Sequence, residues 1–122
     1  MSTIWHIAYA ADWEAAKQHG QYAISTRGAK LADVGFVHAS HRRQVPRVAE
    51  LVFADETRPL VALGISVEAL ATGGIEVHEE PGDPADPASE QFPHVYGPIP
   101  VAAVIEVHEV AMMDGQLTPW EP

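Results

Sequence analysis

Hydrophobic and polar positions along this chain form short runs whose period changes several times. Residues 3–9 are apolar and rich in strand formers, which predicts a first strand. A short helix is expected over residues 13–19, with Asp12 as its N-cap, Glu14 in its first turn and Gly20 as its stop. Residues 21–25 suit a short extended piece, and 26–33 a turn. Residues 35–40, Gly-Phe-Val-His-Ala-Ser, predict another strand. Strand side chains alternate, so Phe36, His38 and Ser40 share one face while Val37 and Ala39 take the other. Val45, Val48, Ala49, Val52 and Phe53 recur at the spacing of an amphipathic helix. Pro46 is tolerated only near a helix start, which puts the N-terminus at Gln44 or Val45. The continuous apolar run 60–66 predicts a buried strand. A helical turn over 67–71, stopped by Gly73 and Gly74, leads to a strand over 75–80. Residues 81–93 carry four prolines, a glycine and three acids, predict a loop, and are the only segment expected to be mobile. Residues 101–110 predict a long strand with Val101, Ala103, Ile105 and Val107 in alternation. No period is evident from Met112 onward.

About six strands and two main helices, with no repeat and no dividing linker, point to one α+β domain over residues 1–122. Hydrophobic residues make up 47% of the chain, enough for a real core. There is no cysteine, which excludes disulfides and thiolate metal ligation and suits a reducing cytoplasm. No signal peptide and no membrane-spanning run is read from the pattern. The net charge of −10 is uneven: all seven basic residues lie between Lys17 and Arg58, and eleven acids but no Lys or Arg follow. Such a surface repels DNA and RNA, so the expected partner is a small molecule. The sequence carries no sign of oligomeric state.

Three histidines, His6, His38 and His94, lie in or beside predicted strands and are the candidate catalytic residues. His38 and Ser40, two apart on a strand, have backbones roughly 7 Å apart, too far for direct activation of the hydroxyl. No G-x-S-x-G elbow is present, and Ser40 also suits a helix cap. Three imidazoles with an open position would suit a metal-dependent hydrolase, although no tight H-x-H spacing supports it and no metal ligand is assigned. Arg42, Arg43 and Arg47 crowd a helix start, where they either attract an anion or pair with acids such as Glu50 and Asp55. Prolines flank His94-Val95-Tyr96-Gly97, which predicts a stiff loop that presents His94 and Tyr96, plugs the core, or does both.

The chain resembles the small bacterial domain of unknown function 952. The resemblance is carried by Ile4-Trp5-His6-Ile7, Trp13 with Ala16, Gly20 through Tyr22, Ser25, the 35–40 strand, Gln44 with Val48 and Ala49, the 60–65 run, and Phe92-Pro93-His94-Val95-Tyr96-Gly97-Pro98 followed by Ala103-Val104. It implies a fold similar to the ADP-ribosyltransferase class, a split and mostly antiparallel β core that grips NAD in a cleft. In that class the first strand often carries a His or Arg, here His6, and a later strand carries aromatic and hydroxyl groups, here Phe36, His38 and Ser40. Tyr96 and Arg43 join Phe36 and Ser40 as expected ligand-binding residues. The class's late glutamate has no unambiguous match; Glu106 and Glu109 are near, or His94 and Tyr96 fill that region. The expectation is therefore a nucleotide-like ligand of the NAD or ADP-ribose type, with NAD as a substrate candidate rather than a resident cofactor. Glycosidic-bond transfer or hydrolysis and non-catalytic binding of a metabolite or protein both remain open.

Overall fold

The computed structural model describes residues 2–121. In chain order, β1 is Thr3–Tyr9, α1 Ala10–His19, β2 Gln21–Tyr22, β3 Ile24–Thr26, β4 Ala29–Lys30, α2 Leu31–Val34 and β5 Val37–His38. A 3₁₀ turn at Arg42–Gln44 leads into α3, Val45–Phe53, followed by β6 Leu60–Ser66, α4 Val67–Thr72, β7 Glu76–Pro81 and β8 Gln91–Tyr96. The chain ends with β9 Ile99–Pro100, a 3₁₀ turn at Val101–Ala103, β10 Val104–Val110, β11 Met112–Met113 and β12 Gln116–Leu117. This is an α+β fold with antiparallel pairing throughout. No described helix is long and apolar enough to cross a membrane.

Two three-stranded sheets carry the architecture, ordered β1-β6-β10 and β5-β8-β7. They meet at one residue pair: Trp5 N–H donates to the Ser40 carbonyl at 2.8 Å, and Ser40 N–H to the Trp5 carbonyl at 2.7 Å. Beyond that bridge the sheets part, which leaves a seam between β1 and β5. Strands β1 and β6 of the first sheet are buried on both faces, as the unbroken apolar run of β6 foretells. Val61, Leu63 and Ile65 join Ile4, Ala8, Trp13 and Ala16 in one cluster, and Leu60 and Ala62 join Trp5, Ile7, Val45 and Phe53 in another. The amphipathic reading of α3 holds: Val45, Ala49 and Phe53 are its buried stripe.

Several expectations are corrected. Asp12 does not cap α1, which begins two residues earlier; the N–H of Ala10 is satisfied by the Pro59 carbonyl at 3.0 Å, so tertiary contact replaces a side-chain cap. The 35–40 strand is regular only at Val37–His38, because a short helix ends at Gly35 in the left-handed conformation, with φ 98°, where a glycine costs least. The 92–98 segment is no loop: Gln91–Tyr96 is the central strand of the second sheet. Pro93 is tolerated there because its carbonyl accepts from Ala39 N–H just past the end of β5, so its missing N–H faces a side where the ladder has stopped. The remaining loop is held by Asx turns, with Asp83 Oδ1 accepting from Ala85 N–H at 2.9 Å and Asp86 Oδ1 from Ala88 N–H at 3.0 Å. In β10 a bulge between Val104 and Glu106 shifts the alternation by one residue. Ile105 and Val107 thus face solvent, each 46% exposed, and His108 lies over Trp5 at 5.9 Å between ring centroids. After Met112 the chain forms a hairpin on Asp114-Gly115, both with positive φ, the two-residue turn that an Asp-Gly pair favours.

The last described residues fold back onto the first sheet. Trp120 packs edge-on to Trp5 at 4.8 Å, and the Arg42 guanidinium stacks 3.8 Å from the Trp120 ring and donates to its carbonyl at 3.1 Å. Arg42 is therefore committed to the tail, while Asp55, expected as a partner for the 42–47 arginines, pairs with Arg27 at 2.8 Å. Trp5 also leans against Gly64, where an added Cβ would sit 2.9 Å from two ring carbons. Gly64→Ala is expected to destabilise by about 1–3 kcal/mol through overpacking. Urea unfolding midpoints of the two proteins check this; an unchanged midpoint would mean that the ring yields.

Candidate functional site

The register of the second sheet lines up three histidines. His38 on β5 and His78 on β7 both sit opposite His94 on β8, so the three side chains share one face. The neighbouring row, Val37, Val95 and Val77, takes the other face and enters the core. Phe36 lies flat on His94, with ring centroids 4.0 Å apart and planes 13° from parallel. Phe92 approaches His38 at 5.3 Å, and Tyr96 meets Phe36 at 5.7 Å and His78 at 5.1 Å. This face is a surface of imidazole and aromatic rings, with Tyr96 40% exposed.

Hydrogen bonds join the candidate residues into a directional chain. Tyr22 O–H lies 2.9 Å from His6 Nε2, and His6 Nδ1 lies 2.6 Å from the His38 carbonyl. A carbonyl only accepts, so His6 carries its proton on Nδ1 and accepts from Tyr22. His94 Nδ1 lies 2.8 Å from Glu80 Oε1, and His94 Nε2 lies 3.2 Å from His38 Nδ1. With the rings neutral, His94 donates to the carboxylate and accepts from His38. Tyr96 O–H donates to the same Glu80 oxygen. His38 Nε2 alone is left without a partner among the described residues, as a lone pair held in place by His94 and, behind it, Glu80.

The electrostatics agree with neutral rings. Burial pushes His6 down to about 4, against the opposing pull of its bond to the His38 carbonyl. Burial also pushes His38 down to about 4, helped by the nearby His94 and His6. Glu80 is held below the usual carboxylate range by the Tyr96 and His94 hydrogen bonds, and the same carboxylate raises Tyr96 to about 12. Burial raises the Tyr22 hydroxyl well above its ordinary value. His6 and His38 are therefore neutral rings at neutral pH.

Of the residues expected from sequence, His6, His38, His94, Phe36 and Tyr96 come together. Ser40 stands beside them, 4% exposed, with its backbone in the bridge to Trp5. Arg43 does not join: it is exposed and makes no hydrogen bond or ion pair among the described residues. The imidazoles do not converge on a common point, because the nitrogens of His6 and His94 are spent within the chain of hydrogen bonds. Among the described residues no group of three or more His, Cys, Asp or Glu side chains is arranged to hold a metal. Glu80 and Tyr22 were missed. Glu80 had a signal, since it follows His78 at strand spacing; Glu106 instead pairs with His108 at 2.9 Å on the other sheet. Tyr22 lies in the Gly20–Tyr22 piece of the family resemblance, but only the fold brings its two-residue strand under His6.

Residues 7–107 match the model of a family described as "Protein of unknown function (DUF952)". The crystal structure of protein CC0527 from Caulobacter crescentus is similar, with a TM-score of 0.76 at 26% identity, over 96% of this chain and 94% of that one. The solution NMR structure of CC0527 gives a TM-score of 0.70 at 29% identity, over 95% and 91%. Comparison with curated proteins gives no match.

Proposed function

This chain belongs to the DUF952 family, and from that premise we propose that it binds a nucleotide-like small molecule of the NAD or ADP-ribose type at the seam between its sheets. There His38 serves as proton acceptor in cleavage of the ligand's glycosidic bond. One observation carries the reading: the hydrogen-bond chain leaves a single free nitrogen, His38 Nε2, and fixes it through His94 and Glu80. A base needs an available lone pair and an orienting partner, and here both are built into one sheet. The parting of the two antiparallel sheets at Trp5–Ser40 suits the split core implied by the ADP-ribosyltransferase resemblance. Tyr96, with its exposed ring, is the residue to stack on a nicotinamide or adenine, whereas Phe36 already spends one face on His94. Arg43, which stands apart from the ring cluster, is exposed and available for a phosphate. Glu80 acts through His94 rather than on the ribose itself.

A melting-temperature titration with NAD, ADP-ribose and nicotinamide tests the reading. A ligand that binds only the folded state, at about 100 times its dissociation constant, adds about 2.7 kcal/mol of stability. Stabilisation by NAD that vanishes in His38→Ala supports the site; no response to any of the three rejects it.

A non-catalytic binding module is the second reading. The cavity beside His38 measures only about 10 Å³, whereas preformed ligand pockets span roughly 300–1,000 Å³. A ligand must then rest on the open ring face, an arrangement that also suits capture without turnover. Release of nicotinamide at enzymatic rates would exclude that alternative.

A further inference from the structure

The small cavity beside His38 lies between β1, β5 and α3. Its polar side is formed by His38, Ser40 and Thr26, and its apolar side by Val45, Val48 and Val52. Ser40 is 4% exposed, and neither its hydroxyl nor that of Thr26 makes a hydrogen bond among the described residues. His6 also borders the space, but both its nitrogens are engaged. A cavity holds a water when it offers roughly 10–15 Å³ and two to four polar partners; an apolar one of that size stays dry. This one, at about 10 Å³, meets both conditions for a single molecule.

We propose that this cavity holds one bound water, fixed by His38, Ser40 and Thr26, and that this water is the acceptor in the glycosidic cleavage, so that the reaction is hydrolysis and not transfer. The assignment of the acceptor rests on the role given to His38 above; the water site itself does not. One hydroxyl donates to the water, and the water donates to the free His38 nitrogen and to the other hydroxyl, which leaves its second lone pair pointing toward the ligand. In the reaction the water O–H bond breaks and its proton passes to His38 Nε2. The water oxygen bonds to C1 of the ribose. The C1–nitrogen bond breaks, and its electron pair goes to the pyridinium nitrogen, which leaves as neutral nicotinamide. A larger acceptor, such as an alcohol or a protein side chain, does not fit the space.

Water-to-protein NOE spectroscopy tests the site with water alone as the probe. The expected result is a long-lived water contact to the methyl groups of Val45, Val48 and Thr26 in the parent protein, lost in Thr26→Val/Ser40→Ala. Thr26→Val alone, which keeps the side-chain shape, serves if the double variant fails to fold. Absence of the contact in the parent overturns the site. With NAD, the expected product is ADP-ribose, and adding methanol leaves it the sole product; a methyl riboside in its place overturns the acceptor role. The double variant should release nicotinamide about tenfold more slowly, as expected for loss of hydrogen bonds to the attacking group. If the parent releases none, the acceptor role falls together with the reading of His38, while the NOE result still decides whether the cavity is a water site.

Discussion

Lowering the pH from 7 toward 4 is expected to remove much of the protein's stability, with the loss beginning near 6.5. His6 and His38 titrate near 6.5 in the unfolded chain and near 4 in the folded one. Between those values the unfolded state binds more protons, so stability rises with pH and falls as acid is added. The contribution is fully present above 6.5 and is lost progressively as the pH drops to about 4. For His6, which is 5% exposed, a shift of this size corresponds to about 3 kcal/mol. His38 adds less, because its ring is only half-buried. Glu80 acts in the same direction: its pKa is depressed by Tyr96 and His94, so its contribution also disappears on protonation. Against a total stability of roughly 5–15 kcal/mol, a loss of this size is decisive. Urea unfolding at pH 7.5, 6, 5 and 4.5 reads it directly. His6→Phe should flatten the dependence, at the expense of the Tyr22 and His38 hydrogen bonds. A parent protein equally stable at pH 7.5 and 4.5 would show that these rings are not held neutral by the fold.

The same two histidines show how much of this molecule is legible in its sequence. The face assignment came directly from strand period two: Val37 and Ala39 are in the core, and His38 is on the opposite face. The helix over Val45–Phe53 and the buried strand Leu60–Ser66 followed from period and composition alone. What failed were readings in which a distant contact overrides a local preference. Pro93 reads as a strand breaker, yet it sits in a central strand because its neighbour strand ends one residue earlier. The alternation expected over residues 101–107 fails in its first half, where Val101–Ala103 is a 3₁₀ turn that buries Ala103, and beyond the bulge Ile105 and Val107 point outward. Register across strands cannot be read from one strand at a time, so the pairing of His38 with His94, and the placement of Glu80 behind it, appeared only with the fold. The Asp114-Gly115 hairpin is a different case: its turn signal was present in the sequence and was passed over for want of a hydrophobic period.

His38→Ala is expected to lower nicotinamide release by about 10²–10⁴, the usual contribution of a positioned general base. The more informative variant is Glu80→Gln, which keeps the size of the side chain and changes the protons. In the parent, the carboxylate accepts from His94 Nδ1 and from Tyr96, so His94 Nε2 is free to accept from His38. A glutamine amide can present its N–H₂ to His94 Nδ1. His94 then carries its proton on Nε2 and donates to His38 Nδ1, which moves the His38 proton to Nε2. The base becomes a donor without any ring having moved. Glu80→Gln should therefore cost nearly as much in kcat as His38→Ala, leave KM for NAD close to the parent value, and add little when the two are combined, as groups acting as one unit do. The pH profile supplies the second readout. An ordinary histidine base loses activity on acidification through about 6.5, but His38 is held near 4. The parent rate should stay flat from pH 8 to 6 and fall only where the protein itself begins to unfold. A profile with an acid limb at 6.5, or a Glu80→Gln enzyme at full rate, would show that the proton leaves by another route and that the Glu80–His94–His38 chain serves the fold alone.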